Sequence, residues 1–229
     1  YHRVPITDEQ APLPHGVDQL VSMFECEPWE AIWVFNCQMG RGRTTTGMIL
    51  HVLWKIRVGL AKPPPVATKS EAKESNEMTD AERETLVWKR GEYPAVLDLM
   101  RLLEEAKKAK QLVDEIIDFV SAMQNLREAI FQLKTRTETS ISEKARAHNM
   151  HRLVHYLRRY CLLIAFSGYL LTAYEVPKNR EAAIQRREKS PASNNTGKTK
   201  EYKWSFTKWL EQRRDVLNLI AKATIELKK

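Results

Sequence analysis

Ala31-Ile32-Trp33-Val34-Phe35-Asn36-Cys37-Gln38-Met39-Gly40-Arg41-Gly42-Arg43-Thr44-Thr45 is the stretch that decides the fold. Its first five residues form an uninterrupted apolar run, the pattern of a strand buried on both faces. Asn36 to Arg43 contains two glycines and no aliphatic repeat, so it reads as a loop. From Thr44 onward Met48, Val52, Leu53 and Ile56 recur at helical spacing. The order is therefore strand, glycine-containing loop, helix, with Ala31 to Phe35 expected at the centre of a sheet.

The loop carries chemistry. Cys37 and Arg43 enclose five residues, and a hydroxyl residue follows the arginine. A loop that leaves a buried strand and enters a helix aims its backbone N–H groups inward, where they can cradle phosphate oxygens. Gly40 and Gly42 permit backbone angles and close approaches that a side chain would block. Arg43 can grip two phosphate oxygens with its planar fork, which a lysine could not reproduce. The same N–H groups and the helix N-terminus stabilise a thiolate at Cys37. A thiolate there can attack phosphorus and form a phosphocysteine, and Thr44 or Thr45 can donate a hydrogen bond to the sulfur as it leaves. Gln38, Met39, Gly40, Arg41, Gly42, Arg43 and Thr44 thus form the expected phosphate-binding set, and the reaction calls for no cofactor. It does call for a general acid. Asp8, Glu9 and Asp18 all lie upstream, and spacing alone does not separate them.

Outward from this centre, residues 1–29 hold turn signals in Pro5, Pro12, Pro14 and Pro28 with Gly16, around at most one short strand near Arg3 to Ile6 and one helix over Val17 to Phe24. Residues 1–61 form the active-site part of the expected domain. Residues 62–90 open on Pro63-Pro64-Pro65 and read as a polar insertion. Residues 91–229 read as the helical part of the same domain, with a polar loop at 178–201 and a long helix from about Glu143 to Tyr174. His148, His151 and His155 share one helical face, but no carboxylate or cysteine completes a metal site, and none is expected. The basic run Arg180 to Lys189 lacks interleaved aromatic residues, so nucleic acid is not an expected partner. Trp29, Trp33, Trp54, Trp88, Trp204 and Trp209 are expected in packing.

The 229 residues suffice for a substantial core. The 37 Lys and Arg against 29 Asp and Glu give a net charge of +8, which favours anionic partners. Cys26, Cys37 and Cys161 are too few for a disulfide framework, which points to the cytoplasm. The longest charge-free run, Tyr160 to Tyr174, falls short of the ~20 residues a bilayer requires, and no signal peptide is evident.

Asn36 to Met48 resembles the paladin-type, phytase-like branch of the protein-tyrosine-phosphatase superfamily. Tyr1 to Asp8 is similar to that branch's segment bearing the general-acid aspartate. The likeness continues through Gly91-Glu92-Tyr93, Leu112 to Glu115, Asn125 to Ile130, Tyr156 to Tyr169 and Phe206 to Leu210. The resemblance implies an α/β fold, a parallel sheet between helices, with a helix-rich C-terminal half. The sheet is expected to be incomplete because the chain starts mid-fold. It implies Cys37 as nucleophile, Arg43 as phosphate clamp and Asp8 as general acid. The implied substrates are inositol polyphosphates, or else phosphoinositides at a membrane surface or phosphotyrosine. Further implied partners are neighbouring phosphatase-like modules of a longer chain. One departure stands out: the superfamily usually has histidine before the nucleophile, and here it is Asn36, which favours the alternative of a weak or inactive phosphate-binding module.

Overall fold

The structure is a computed structural model that describes residues 1–65, 79–188 and 205–223. Ten helices form among these residues: α1 Pro14–Cys26, α2 Gly42–Arg57, α3 Asp80–Lys89, α4 Pro94–Leu102, α5 Ala106–Phe119, α6 Leu126–Thr139, α7 Glu143–Thr172, α8 Arg180–Glu188, α9 Phe206–Gln212 and α10 Arg214–Lys222. Their starts are written locally. Pro14 and Pro94 occupy the first positions of α1 and α4, where a missing N–H costs nothing. Asn125, Ser142 and Ser205 cap α6, α7 and α9 through their side chains. Thr79 and Glu82 make a reciprocal capping box on α3.

That last helix is a correction. The insertion expected over 62–90 is helical from Asp80 to Lys89, because the capping box and Leu86, Val87 and Trp88 outweigh the polar composition before them. Likewise α8 occupies the first part of the expected polar loop at 178–201, where Arg180 Nε donates to the Cys26 carbonyl at 2.9 Å. Residues 66–78 and 189–204, with Lys189 and Trp204 among them, lie outside the described residues.

Helix α7 is the axis of the molecule. From Tyr156 to Leu170 it is buried almost all round, with Tyr160, Cys161, Leu163, Ile164, Ala165 and Phe166 fully enclosed. This accounts for the charge-free run: a helix covered on every side has no face to leave polar. Helices α2, α4, α5, α6, α9 and α10 pack around it, and one hydrophobic core extends from Val17 to Ala223. Among the described residues no helix is long and apolar enough to cross a membrane. At the far end of α7, Arg57 of α2 donates to the Leu170 and Tyr174 carbonyls. The Trp54 indole donates to the Tyr174 hydroxyl at 2.9 Å, and that hydroxyl reaches Glu25 at 2.6 Å. These bonds fix α1 and α2 against α7, and so fix the loop that precedes α2.

The expected sheet does not form. Among the described residues there is no strand, neither over Arg3 to Ile6 nor over Ala31 to Phe35. The second segment is extended but unpaired, and its apolar side chains alternate. Trp33 and Phe35 turn inward, while Ile32 and Val34 are 92% and 85% exposed. The physical reason is that a run buried on both faces needs layers on both sides. Here α1 and α2 cover one face only, through an edge-on contact of Phe24 with Trp33 at 4.9 Å and a cluster with Phe35, His51 and Trp54. The helical half of the α/β expectation stands, and the sheet half does not.

Candidate active site

The site is the turn between the extended segment and α2. Its two stems are pressed together at Gly47, where a Cβ would lie 2.7 Å from the Phe35 ring. Only glycine lets α2 approach this closely, and the approach brings the ends of the loop together. Gly40 adopts a left-handed φ of 66°, which a side chain would resist. The first turn of α2 is then tied by hydroxyls: Thr45 Oγ1 donates to the Arg41 and Gly42 carbonyls at 3.1 Å, and Thr46 Oγ1 to the Gly42 carbonyl at 2.7 Å. Thr44, Thr45 and Thr46 are all buried.

Thr44 Oγ1 donates to Cys37 Sγ at 3.2 Å. Partial burial of the thiol opposes ionisation, but the Thr44 hydroxyl and the backbone N–H groups of Thr44, Met39 and Arg41 outweigh it. Together they bring the Cys37 pKa down to about 6. The contrast with Cys161 is instructive, for there complete burial without such donors pushes the thiol up to about 12. Of the two threonines eligible for the sulfur, the structure selects Thr44, since Thr45 spends its hydroxyl on the backbone.

Arg43 lies in the first turn of α2, largely buried, with Nη2 3.2 Å from Asp8 Oδ1. Its Nε is buried without a hydrogen-bond partner. Asp8 stands in a turn closed by Gln10 N donating to the Thr7 carbonyl at 3.3 Å, and it is largely exposed. The other two acids are spoken for. Asp18 accepts from the Phe206 and Thr207 N–H groups at 2.8 and 3.1 Å and so caps α9; its burial raises its pKa, against the hydrogen bonds it accepts. Glu9 pairs with Arg152 Nε of α7 at 2.7 Å. The structure therefore pairs Cys37 with Thr44 and Arg43 with Asp8, and engages Asp18 at the start of α9. Gln38, Met39 and Arg41 are exposed on the rim, and Asn36 is exposed beside Cys37.

Two groups at the site were not anticipated from the sequence. Arg159 of α7 is 1% exposed, and its Nη1 sits where a Cβ on Gly42 would come within 2.8 Å. Gln124 Oε1, between α5 and α6, is buried beside the same glycine. The signal available for Arg159 was its place at the edge of the charge-free run that begins at Tyr160. His151 and His155 pack ring to ring at 4.4 Å, and burial, then His151, Arg158 and Arg159, hold the His155 pKa down despite Glu9. Among the described residues no three His, Cys, Asp or Glu side chains are grouped to hold a metal ion.

The family model of protein-tyrosine-phosphatase-like phytases, described as "Inositol hexakisphosphate", matches residues 1–55, which span the Asp8 turn, the loop and most of α2. Paladin from Xenopus tropicalis is 32% identical over 180 residues, covering 74% of this chain and 19% of its own. Paladin from Homo sapiens is 31% identical over 181 residues, with 74% of this chain and 20% of its own covered. Effector protein hopD2 of Pseudomonas syringae pv. tomato is 47% identical over 51 residues, 22% of this chain and 11% of its own. The chain spans about a fifth of the length of the paladins it matches. No solved structure matches it. The likeness to the paladins covers about three-quarters of the chain, 74%, so the chain belongs to the phytase-like, paladin-containing branch of the protein-tyrosine-phosphatase superfamily.

Proposed function

We propose that this chain is a cysteine-dependent phosphatase module that hydrolyses phosphate monoesters through a phosphocysteine, with inositol polyphosphates as substrates. The observation that carries the reading is a thiol brought down to about 6 by the Thr44 hydroxyl and loop N–H groups, within one loop of an arginine that touches a carboxyl group. The Cys37 thiolate attacks phosphorus, the P–O ester bond breaks, and the Asp8 carboxyl protonates the departing oxygen. The Asp8 carboxylate then takes a proton from water, whose oxygen attacks phosphorus, and the sulfur leaves as a thiolate held by Thr44. Arg43 and the loop N–H groups hold the phosphoryl oxygens through both steps.

The choice of substrate rests on the description of the matching family model and on Arg41, exposed at the rim where a second phosphate of a polyphosphate would lie. Membrane phosphoinositides and neighbouring modules of a longer chain remain proposed partners on the same grounds. A second reading, a module that binds polyphosphate without turning it over, is favoured by Asn36 beside the nucleophile. The experiment is phosphate release from inositol hexakisphosphate and from 4-nitrophenyl phosphate, in wild type, Cys37→Ser and Asp8→Asn. The enzyme reading expects Cys37→Ser to abolish both activities while still binding phosphate. It expects Asp8→Asn to slow the alkyl ester by ~100-fold or more and the activated aryl ester far less. Absence of release by wild type, with inositol hexakisphosphate bound equally by wild type and Cys37→Ser, decides for the second reading.

A further inference from the structure

Helix α7 presents Arg152, His155 and Arg159 on one face, three and four residues apart, and that face meets the turn bearing Asp8. Arg152 Nε lies 2.7 Å from Glu9 Oε1. Arg159 Nη2 donates to the Gln10 carbonyl at 3.0 Å, across a sequence separation that only the tertiary fold closes. The turn is thus held at the residues immediately after Asp8, once through a side chain and once through the backbone. Glu9 itself sits at a left-handed φ of 59°, a conformation that a residue with a Cβ keeps only when its surroundings hold it.

Arg159 also reaches the other half of the site. Its Nη1 abuts Gly42, the residue between Arg41 and Arg43, and its guanidinium lies over the Tyr156 ring at 4.8 Å. Nε and Nη1 have no hydrogen-bond partner, and the charges around the group are Asp8, Glu9 and Arg43. A buried guanidinium with unpaired donors is a poor packing residue, since an apolar side chain of equal length would fill the space at lower cost. Its position is better explained by what it spans: one side chain touches both the turn that carries the acid and the loop that carries the nucleophile.

We propose that Arg152 and Arg159 are positioning residues that hold the Asp8–Gln10 turn over the phosphate loop, so that α7 sets where Asp8 delivers its proton. The proposal rests on the phosphatase reading for its consequence in catalysis, but not for the clamp itself. Neither arginine is assigned contact with substrate. Loss of the clamp therefore affects the step that needs proton delivery and spares the step that does not.

The test uses Arg152→Gln, a partly exposed side chain whose loss leaves the core intact, and Arg159→Met, which keeps length and packing. Both are assayed with inositol hexakisphosphate and 4-nitrophenyl phosphate, alone and in the Asp8→Asn background. Hydrogen exchange of the amides at residues 7–10 is followed in the same proteins. Expected are ~10-fold or larger losses on the alkyl ester, losses below ~3-fold on the aryl ester, and no further loss on the alkyl ester once Asp8 is Asn, as general-acid catalysis of ~100-fold or more leaves room for. The amides of the turn should exchange faster in both variants. Equal losses on both esters, or additive losses with Asp8→Asn, overturn the catalytic part. Unchanged exchange in the turn overturns the clamp. If wild type releases no phosphate, the phosphatase reading and the catalytic part fall together, and the exchange result alone decides the clamp.

Discussion

Thr44→Val isolates the hydrogen bond to Cys37. Valine keeps the shape of threonine and the backbone N–H of residue 44, and removes only the hydroxyl that lies 3.2 Å from Cys37 Sγ. A hydrogen bond to a charged group contributes ~1.5–3 kcal/mol, and ~1.4 kcal/mol corresponds to one pKa unit. Cys37 is partly open to solvent, so the low end applies and the thiol should rise by roughly one unit. The direction follows from the chemistry: a donor that favours the thiolate lowers the pKa, and its loss raises it. In wild type, with Cys37 at about 6, about half the thiol is ionised at pH 6. In the variant the fraction at that pH should be about a tenth. The assay is the rate of alkylation by iodoacetamide from pH 4.5 to 9.5, with the modified residue identified by mass spectrometry. Buried Cys161, at about 12, stays silent over this range. The midpoint is the quantity to compare, because a thiolate of higher pKa is also more nucleophilic and partly compensates in absolute rate. A wild-type midpoint near that of an ordinary thiol, or a variant midpoint unchanged within ~0.3 units of a pKa shift, would refute the reasoning.

Arg43→Lys should weaken phosphate binding by ~10-fold or more, because one ammonium cannot serve both Asp8 and a phosphate at two points as the fork can; calorimetry with inorganic phosphate checks it, and equal affinities would count against a bidentate clamp. Asp18→Ala should lower the melting temperature by removing the acceptor for the first two N–H groups of α9, beside the Ser205 cap, a loss of ~1–2 kcal/mol, while leaving the leaving-group dependence of hydrolysis unchanged; a changed dependence would return Asp18 to the list of acids. Gly47→Ala should destabilise by ~1–3 kcal/mol through contact with the Phe35 ring, more than alanine's helix preference of ~1 kcal/mol can offset. A higher melting temperature than wild type would show that the ring yields freely.

The helical half was legible because its signals are local. Apolar residues at helical spacing read out α1, the start of α2 and the bounds of α7 to within a few residues. The loop before α2 was legible for a similar reason: Cys37, both glycines, Arg43 and Thr44 lie in one short segment. Composition misled over Asp80 to Lys89, where a single capping box outweighed a polar neighbourhood.

What the sequence by itself determined is therefore what has its cause within one turn of chain: the passage from loop to helix at Cys37 to Arg43, and the long helix from Glu143. Three matters were left to the tertiary structure. Ala31 to Phe35 has the composition of a doubly covered strand, yet burial is a property of the layers around a segment, and only one layer is present. Asp8, Glu9 and Asp18 are equivalent as residues, and their roles separate only when Arg43, Arg152 and the N-terminus of α9 arrive beside them. Arg159 looks like one more charge on a long helix until folding closes the distance to Gln10 and Gly42. In each case the deciding partner is remote in sequence, and a side chain's chemistry depends on the groups that folding places against it.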